Sequence, residues 1–311
     1  MRISQQGRAY GYAIVAVLFW ATVATAFKLT LQPRGSLDPW QLLFYATVSS
    51  TLCLFIIVLL EGKWSMVTSC SPGECAYSAV LGFLQPCVYY AMLFTAYSRL
   101  PAQQAQPLNM TWPIAVVLLS VPLLKQRVQM KDLAALVVCF CGVLVICLAG
   151  ATVDAGQDAK SGHRFSDPLG VSLALSSSII WALFWLLNVR DKRDPEVKLL
   201  LGFSFACVFT AGFVWWFSGF RVKGTGLLGA AYAGVFEMGL TYVVWLRALT
   251  LSRTTAQVSI LVYLMPFLSL LVIHFVLGEH VVPKTVVGLA LIVAGILVQQ
   301  CGGRKIATPG A

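Results

Sequence analysis

The sequence predicts an all-α membrane protein, with ten transmembrane helices in two inverted five-helix repeats. Three observations carry that expectation. Apolar runs of spanning length recur along the whole chain, charge collects in the short segments between them, and the two halves align with one another.

The 311 residues are 59% hydrophobic and 11% charged. A soluble domain carries about 25% charged residues, so the surplus apolar surface must face lipid. A helix needs about 20 apolar residues to cross the hydrocarbon core. Spans are therefore expected at 9–31, 39–60, 76–98, 102–124, 131–150, 167–189, 197–218, 226–248, 254–277 and 283–300. The first follows Arg2 and Arg8 and imitates a signal peptide, with Ala24-Thr25-Ala26 at a cleavage-like position. Its length and the nine runs behind it favour an uncleaved helix. The second contains an unbroken apolar stretch over 52–60, without the alternation of a barrel strand. The fourth and ninth carry Pro113 and Pro266, which free backbone carbonyls and permit kinks. The polar stretch 151–166 reads as a linker between repeats at 9–150 and 167–300.

The larger share of Lys and Arg falls on the side of the amino terminus, including Arg2, Arg8, Lys125, Arg127, Lys131, Lys192, Arg193 and Lys198. This bias predicts a multi-pass protein of the plasma membrane, in a bacterial inner membrane, with both termini cytoplasmic. The net charge of +10 lies between apolar runs rather than in one patch. It marks topology and headgroup contact, not nucleic-acid binding. Cys70 and Cys75 share a loop placed in the cytoplasm, where thiols stay reduced. No CxxC occurs and the three histidines complete no zinc pattern. No metal and no cofactor are expected. The partners implied are a small-molecule substrate and the bilayer, for a monomer or a homodimer.

A shift of 153 residues pairs Gln104 with Gln257, Pro113 with Pro266 and Gly142 with Gly295. A shift of 152 pairs Gly82 with Gly234, Gln85 with Glu237 and Tyr90 with Tyr242, and Trp20 meets Trp181 near a shift of 161. Five helices per half is an odd number, so the second copy enters the membrane from the opposite side. Inverted repeats supply two exchangeable conformations about a central site, which suits alternating access.

Candidate site residues follow from polarity at span centres. Glu237 sits mid-span, where an ionised group costs roughly 2.5–3.5 kcal/mol by insertion scales. Such a group faces the bundle interior. Thr241 and Trp245 follow at i+4 and i+8 on one helical face, and Gln85 and Tyr89 form the matching arrangement in the first repeat. Gln106, Asn109 and Pro113 share a face in the fourth span, beside Trp112. Ser259, Tyr263 and Pro266 do likewise in the ninth. Ser177, Trp181, Phe184 and Asn188 line one face of the sixth span. Aromatic walls suit an apolar or aromatic solute, or an amine by cation–π contact. The substrate-binding set expected is thus Trp20, Gln85, Tyr89, Asn109, Trp112, Trp181, Glu237, Thr241, Trp245 and Tyr263, with Pro113 and Pro266 as hinges. Lys28 is expected to snorkel to the headgroups, and His274 to pack.

The segments FWATVATAFK (residues 19–28) and DPLGVSLALSSSIIWALFW (167–185), the pairs Trp112-Pro113 and Met265-Pro266, and Leu277-Gly278-Glu279 carry a resemblance. The chain resembles the drug/metabolite transporter superfamily of EamA type, with two EamA repeats over residues 9–300. Lys125-Gln126 departs from the family's Leu-Gly-Glu in the first repeat. The segment over 109–113 is similar to a motif of YddG-type aromatic amino-acid exporters. The resemblance implies ten helices, an inner cavity and efflux of amino acids or related metabolites. A nucleotide-sugar carrier would want Lys or Arg within the central spans, and these are nearly free of them. A prenyl-transfer or proteolytic enzyme would want acidic pairs or a serine–histidine couple, which the spans do not offer. A non-transporting scaffold or sensor is the remaining alternative.

Overall fold

The computed structural model describes residues 5–31, 36–112, 115, 118–119, 134, 137–146, 167–222, 225–251, 261 and 264–300. Helices dominate them, and an isolated bridge between Leu31 and Leu37 is the extended pairing found there. We number the helices α1 (Gln5–Thr30), α2 (Pro39–Leu60), α3 (Pro72–Arg99), α4 (Ala102–Asn109), α5 (Val137–Ile146), α6 (Pro168–Arg190) and α7 (Pro195–Phe217). Then come α8, assembled from Thr225–Ala233, Gly234–Gly239 and Leu240–Leu251, α9 (Met265–Leu277) and α10 (Pro283–Gln300). Six of these, α1, α2, α3, α6, α7 and α8, are long and apolar enough to cross a membrane among the described residues. The expected linker, 151–166, lies outside them.

Helix starts are written in a short local code. Asp38-Pro39, Ser71-Pro72, Asp167-Pro168 and Asp194-Pro195 each place an oxygen-bearing cap before a proline at the first helical position. The cap side chain satisfies orphan N–H groups, and the proline has no N–H to lose. Asp38 Oδ1 accepts from the Trp40 and Gln41 amides at 2.9 and 3.0 Å. Ser71 and Glu74 form a reciprocal capping box. These caps move the expected starts at 76 and 197 back to Pro72 and Pro195. At the other end of α9, Gly278 adopts φ 67°, a left-handed stop that favours glycine.

Because α1 to α3 alternate direction, the start of α1, the end of α2 and the start of α3 share one end of the bundle, here called proximal. The end of α1 and the end of α3 lie at the distal end. Helix α6, the counterpart of α1, begins at the distal end, where Arg99 pairs with Asp167 at 2.7 Å. It finishes at the proximal end, where Lys63 pairs with Asp194 at 2.9 Å. Corresponding helices of the two repeats therefore run in opposite directions.

Close backbone approach joins the repeats. A Cβ on Gly82 of α3 would strike the Gly202 carbonyl of α7, and one on Gly234 of α8 would strike the Ala46 carbonyl of α2. Each repeat thus seats its third helix against the second helix of the other. Helices α5 and α10 meet the same way through Gly142 and Gly288, and the Cys139 thiol reaches the Ile292 carbonyl at 3.2 Å.

The proximal end is closed by charge. Lys63 lies 2.8 Å from Glu61, 2.9 Å from Asp194 and 2.8 Å from Glu196, and Arg247 adds a contact to Glu61. Arg193 grips Asp191 at 2.6 Å and donates to the Glu74 carbonyl and Ser78 hydroxyl. The distal end has the Arg99–Asp167 pair and, besides it, contacts between neutral groups. Gln41 donates to the Gly219 and Arg221 carbonyls, and Tyr45 to that of Phe220. Exposed Leu60 and Trp64 near the proximal end and Trp215, Trp216 and Phe217 near the distal end suit lipid contact.

Burial opposes the Lys63 ammonium, but bonds from Glu196, Glu61 and Asp194 hold it above the usual lysine range. Burial likewise opposes Asp194 and Asp191, yet Lys63 and Arg193 keep them below the usual carboxylate range. The lysine's stabilisation is complete below its unfolded value and fades as pH rises through the folded one. That of the aspartates is present above their unfolded value and fades as pH falls through the folded one. We expect Lys63→Met to cost about 1–3 kcal/mol near pH 7, read by thermal unfolding in detergent. The gap to wild type should shrink below about pH 4. Gly82→Ala should destabilise by about 1–3 kcal/mol, since the added methyl meets backbone. Gly212→Ala, with nothing within 4 Å, should be tolerated in the same assay.

Candidate functional site

The centre of the bundle is built at two irregular turns. Pro86 withholds an N–H and pushes the residue before it out of helical geometry. Gln85 accordingly sits at φ −145°, ψ 122°, at a kink between two helical stretches within Phe83–Val88. In α8 the matching segment, Gly234–Gly239, is a π turn. Such turns interrupt an α-helix by one extra residue and recur at functional sites.

The extra residue re-aims the side chains. At an ordinary i+4 spacing Thr241 would stand above Glu237. The π turn instead lets the Thr241 hydroxyl bond back to the Phe236 carbonyl five residues earlier. Tyr242 takes the inward position. The Tyr90 hydroxyl donates to Glu237 Oε1 at 3.1 Å, and the Gln85 amide donates to the Tyr242 hydroxyl. Gln85 corresponds to Glu237 in the repeat alignment, and Tyr90 to Tyr242. The two hydrogen bonds are therefore the same contact made twice, once in each sense, across the junction of the halves.

Around this crossed pair lies an aromatic and polar shell. The Tyr89 hydroxyl donates to Asn109 Oδ1 at 3.2 Å, and Asn109 Nδ2 donates to Ser177 Oγ at 2.9 Å. This chain ties α3, α4 and α6. Trp181 packs against Tyr89 at 4.8 Å and Tyr242 at 5.9 Å, and Trp185 stacks on Tyr242 at 6.3 Å with 7° between planes. Gln85 is 1% exposed and Glu237 and Trp181 are each 8% exposed. Gln85 Oε1 and Trp181 Nε1 make no hydrogen bond among the described residues.

Five expected residues thus converge: Gln85, Tyr89, Asn109, Trp181 and Glu237. Trp20 and Trp245 meet each other at 5.5 Å in a second group that packs on Ala9, Ala13 and Ala16 toward the proximal end. Trp185 touches both groups. Trp112 is half-buried against the main core. Thr241 is buried but spent on its own backbone. Pro266 is buried at the start of α9, where the nearby Ser269 hydroxyl donates to Gln106 of α4. Tyr263 and Pro113 lie outside the described residues, as does Ser259. Ser177, Phe184 and Asn188 are buried with Trp181, as a shared face requires. Lys28, expected to reach the headgroups, is instead 5% exposed within the protein. Its position one turn before the end of α1 places it beside the packed Phe27 rather than in lipid.

The residues missed were Tyr90, Tyr242 and Trp185. The first two were signalled by the same 152-residue shift that picked out Gln85 and Glu237. A strict 3.6-residue period hid them. A surface cleft of about 510 Å³ at the proximal end, lined by Gly73, Glu74, Tyr77, Asp191, Lys192 and Arg193, contains none of the expected set.

The sequence model of the EamA-like transporter family matches twice, over residues 7–148 and 168–299. The chain belongs to this family. It is a multi-pass membrane transporter of the drug/metabolite superfamily, and that membership points away from enzymatic chemistry. An "uncharacterized transporter" of Archaeoglobus fulgidus is 22% identical over 292 residues, covering 91% of this chain and 95% of the relative. A solved crystal structure aligns with a TM-score of 0.64 at 22% identity, covering 96% of this chain and 98% of the other, which supports the fold.

Asn109→Ala should remove the partners of Tyr89 and Ser177 together. We expect a loss of about 2 kcal/mol, roughly 1 per buried hydrogen bond, measured by thermal unfolding. Asn188→Ala, outside this chain of bonds, should cost less.

Proposed function

We propose that this transporter exports amino acids or related small organic metabolites across a bacterial inner membrane by alternating access, with both termini in the cytoplasm. The observation that carries the reading is the crossed pair Gln85–Tyr242 and Tyr90–Glu237, which sits where the two oppositely running repeats meet. A site on that junction is reached from whichever side the repeats part. The shell of Tyr89, Trp181 and Asn109 suits a solute with both apolar and polar parts, and Trp20, Trp112, Thr241, Trp245 and Tyr263 extend the path. Pro266, with Pro113 in the first repeat, serves as a hinge. The working unit is one chain or a pair of them in lipid, and nucleic acid has no part in it.

The charge clusters of the proximal end, and the single ion pair and neutral contacts of the distal end, give the two gates of such a cycle. Rocking breaks one seam while the other holds, and each seam is renewed at the end of a turnover. Glu237 takes up and releases a proton in this scheme. The titratable groups around it are the hydroxyls of Tyr90, Tyr89, Tyr242 and Tyr97.

Reconstituted protein, loaded with a panel of radiolabelled amino acids and related metabolites, should release at least one faster than protein-free vesicles. Absence of flux across the panel would count against a transport role. Glu237→Gln should flatten the dependence of flux on pH, and an unchanged profile would remove Glu237 from proton handling.

A further inference from the structure

We infer that the crossed pair is the resting, self-plugged form of an ammonium-binding site, in which Glu237 and Gln85 Oε1 receive the N–H donors of a protonated amine and Trp181 Nε1 orients any carboxylate beside it. The inference rests on the transport reading and adds the chemical class of the solute.

The geometry supplies four reasons. Glu237 and Gln85 occupy matching positions in the two repeats, so their oxygens approach one centre from two sides. The present donor to Glu237 is the Tyr90 hydroxyl at 3.1 Å, and a donor that can be displaced marks where another fits. Second, Gln85 Oε1 is a buried acceptor with no hydrogen bond among the described residues. An unmade buried bond costs about 1–3 kcal/mol, which a ligand N–H would recover. Third, Trp181 Nε1 is a buried donor in the same condition, and its ring lies against Tyr242, the residue that Gln85 bonds. An orphan donor and an orphan acceptor flanking one tyrosine call for a ligand with both functions.

The fourth reason is charge. Among the described residues Glu237 forms no ion pair, and Tyr90 is its hydrogen-bond partner. In its ionised form it carries a charge that a cation brought by the ligand balances. The faces of Tyr89, Trp181, Tyr242 and Trp185 surround the place, with centroids 4.8–6.3 Å apart. Such faces attract an ammonium and pack its apolar remainder. With no ligand, the two tyrosine hydroxyls occupy the polar groups and keep the centre closed.

Three probes separate the parts of the proposal: phenethylamine, phenylalanine and 3-phenylpropanoate. They share a ring and differ in the ammonium and carboxylate. Binding is measured on the full-length protein in lipid nanodiscs by calorimetry. Phenethylamine and phenylalanine should bind, and 3-phenylpropanoate should bind about tenfold more weakly or not at all. Glu237→Gln keeps an oxygen for Tyr90, so it should fold as wild type by gel filtration while losing about tenfold in phenethylamine affinity. Tyr90→Phe removes the competing hydroxyl and should tighten phenethylamine by about fivefold. Trp181→Phe should weaken phenylalanine by a larger factor than phenethylamine, because only phenylalanine carries the carboxylate that Nε1 orients.

Equal affinity for 3-phenylpropanoate and phenylalanine would overturn the inference, as would failure of both amines to bind. Unaltered phenethylamine affinity in folded Glu237→Gln would do the same, and if that variant misfolds, no tightening in Tyr90→Phe decides against it. Flux of the same probes in proteoliposomes separates the two levels. Amine binding without flux would leave the ammonium site standing and refute transport of these probes. Flux of a solute lacking an ammonium would do the reverse.

Discussion

Inside a bilayer a polar group has no water to turn to, so it must find its partner within the protein. The hydrogen bonds at the centre of this chain answer to that constraint, and Gln85 Oε1 and Trp181 Nε1 are the exceptions to it. Gln85 and Glu237 are placed by the repeat at the same depth from opposite sides, and each is met by the tyrosine of the other half. Each of these two bonds joins one repeat to the other. The hydrogen bonds that solve the local problem therefore also hold the two halves in register, and they can be exchanged only when the halves move.

Packing makes this possible. Gly82 and Gly234 let the third helix of each repeat settle onto the second helix of the other, at a distance no side chain would permit. That approach carries the following irregular turn up to the midline. The proline-capped helix starts fix where each helix leaves its loop. The Lys63 and Arg193 clusters then join α2 and α3 to α7 at one end. Close approach, irregular turn and crossed bonds form one sequence of causes, each needed for the next.

Much of this was legible in the residues. Apolar run lengths gave α2 and α10 to the residue, at 39–60 and 283–300, because lipid exposure forces a nearly pure composition. Starts were less well placed where a cap and proline sit several residues outside the apolar run, as at Ser71-Pro72. The repeat alignment found Gln85 and Glu237 and placed Tyr90 opposite Tyr242. The face assignment then went to Thr241, because helical periodicity assumes an unbroken ladder. Nothing local in residues 234–239 announces a π turn, although Pro86 does flag the irregularity of its counterpart. Trp245 is buried and Trp20 half-buried, in a group separate from the crossed pair. Aromatic residues carry no depth information beyond the span that holds them.

The Gln85 and Glu237 difference has a consequence for energetics. Two identical copies related by an inverting axis would have two end states of equal free energy in a symmetric membrane, by geometry alone. Replacing a carbonyl–amide on one side by a carboxyl on the other lifts that degeneracy by one proton's worth of chemistry. In the proposed cycle the duplicated architecture supplies the pair of wells, and this unlike pair is one of the differences between the repeats that set their depths.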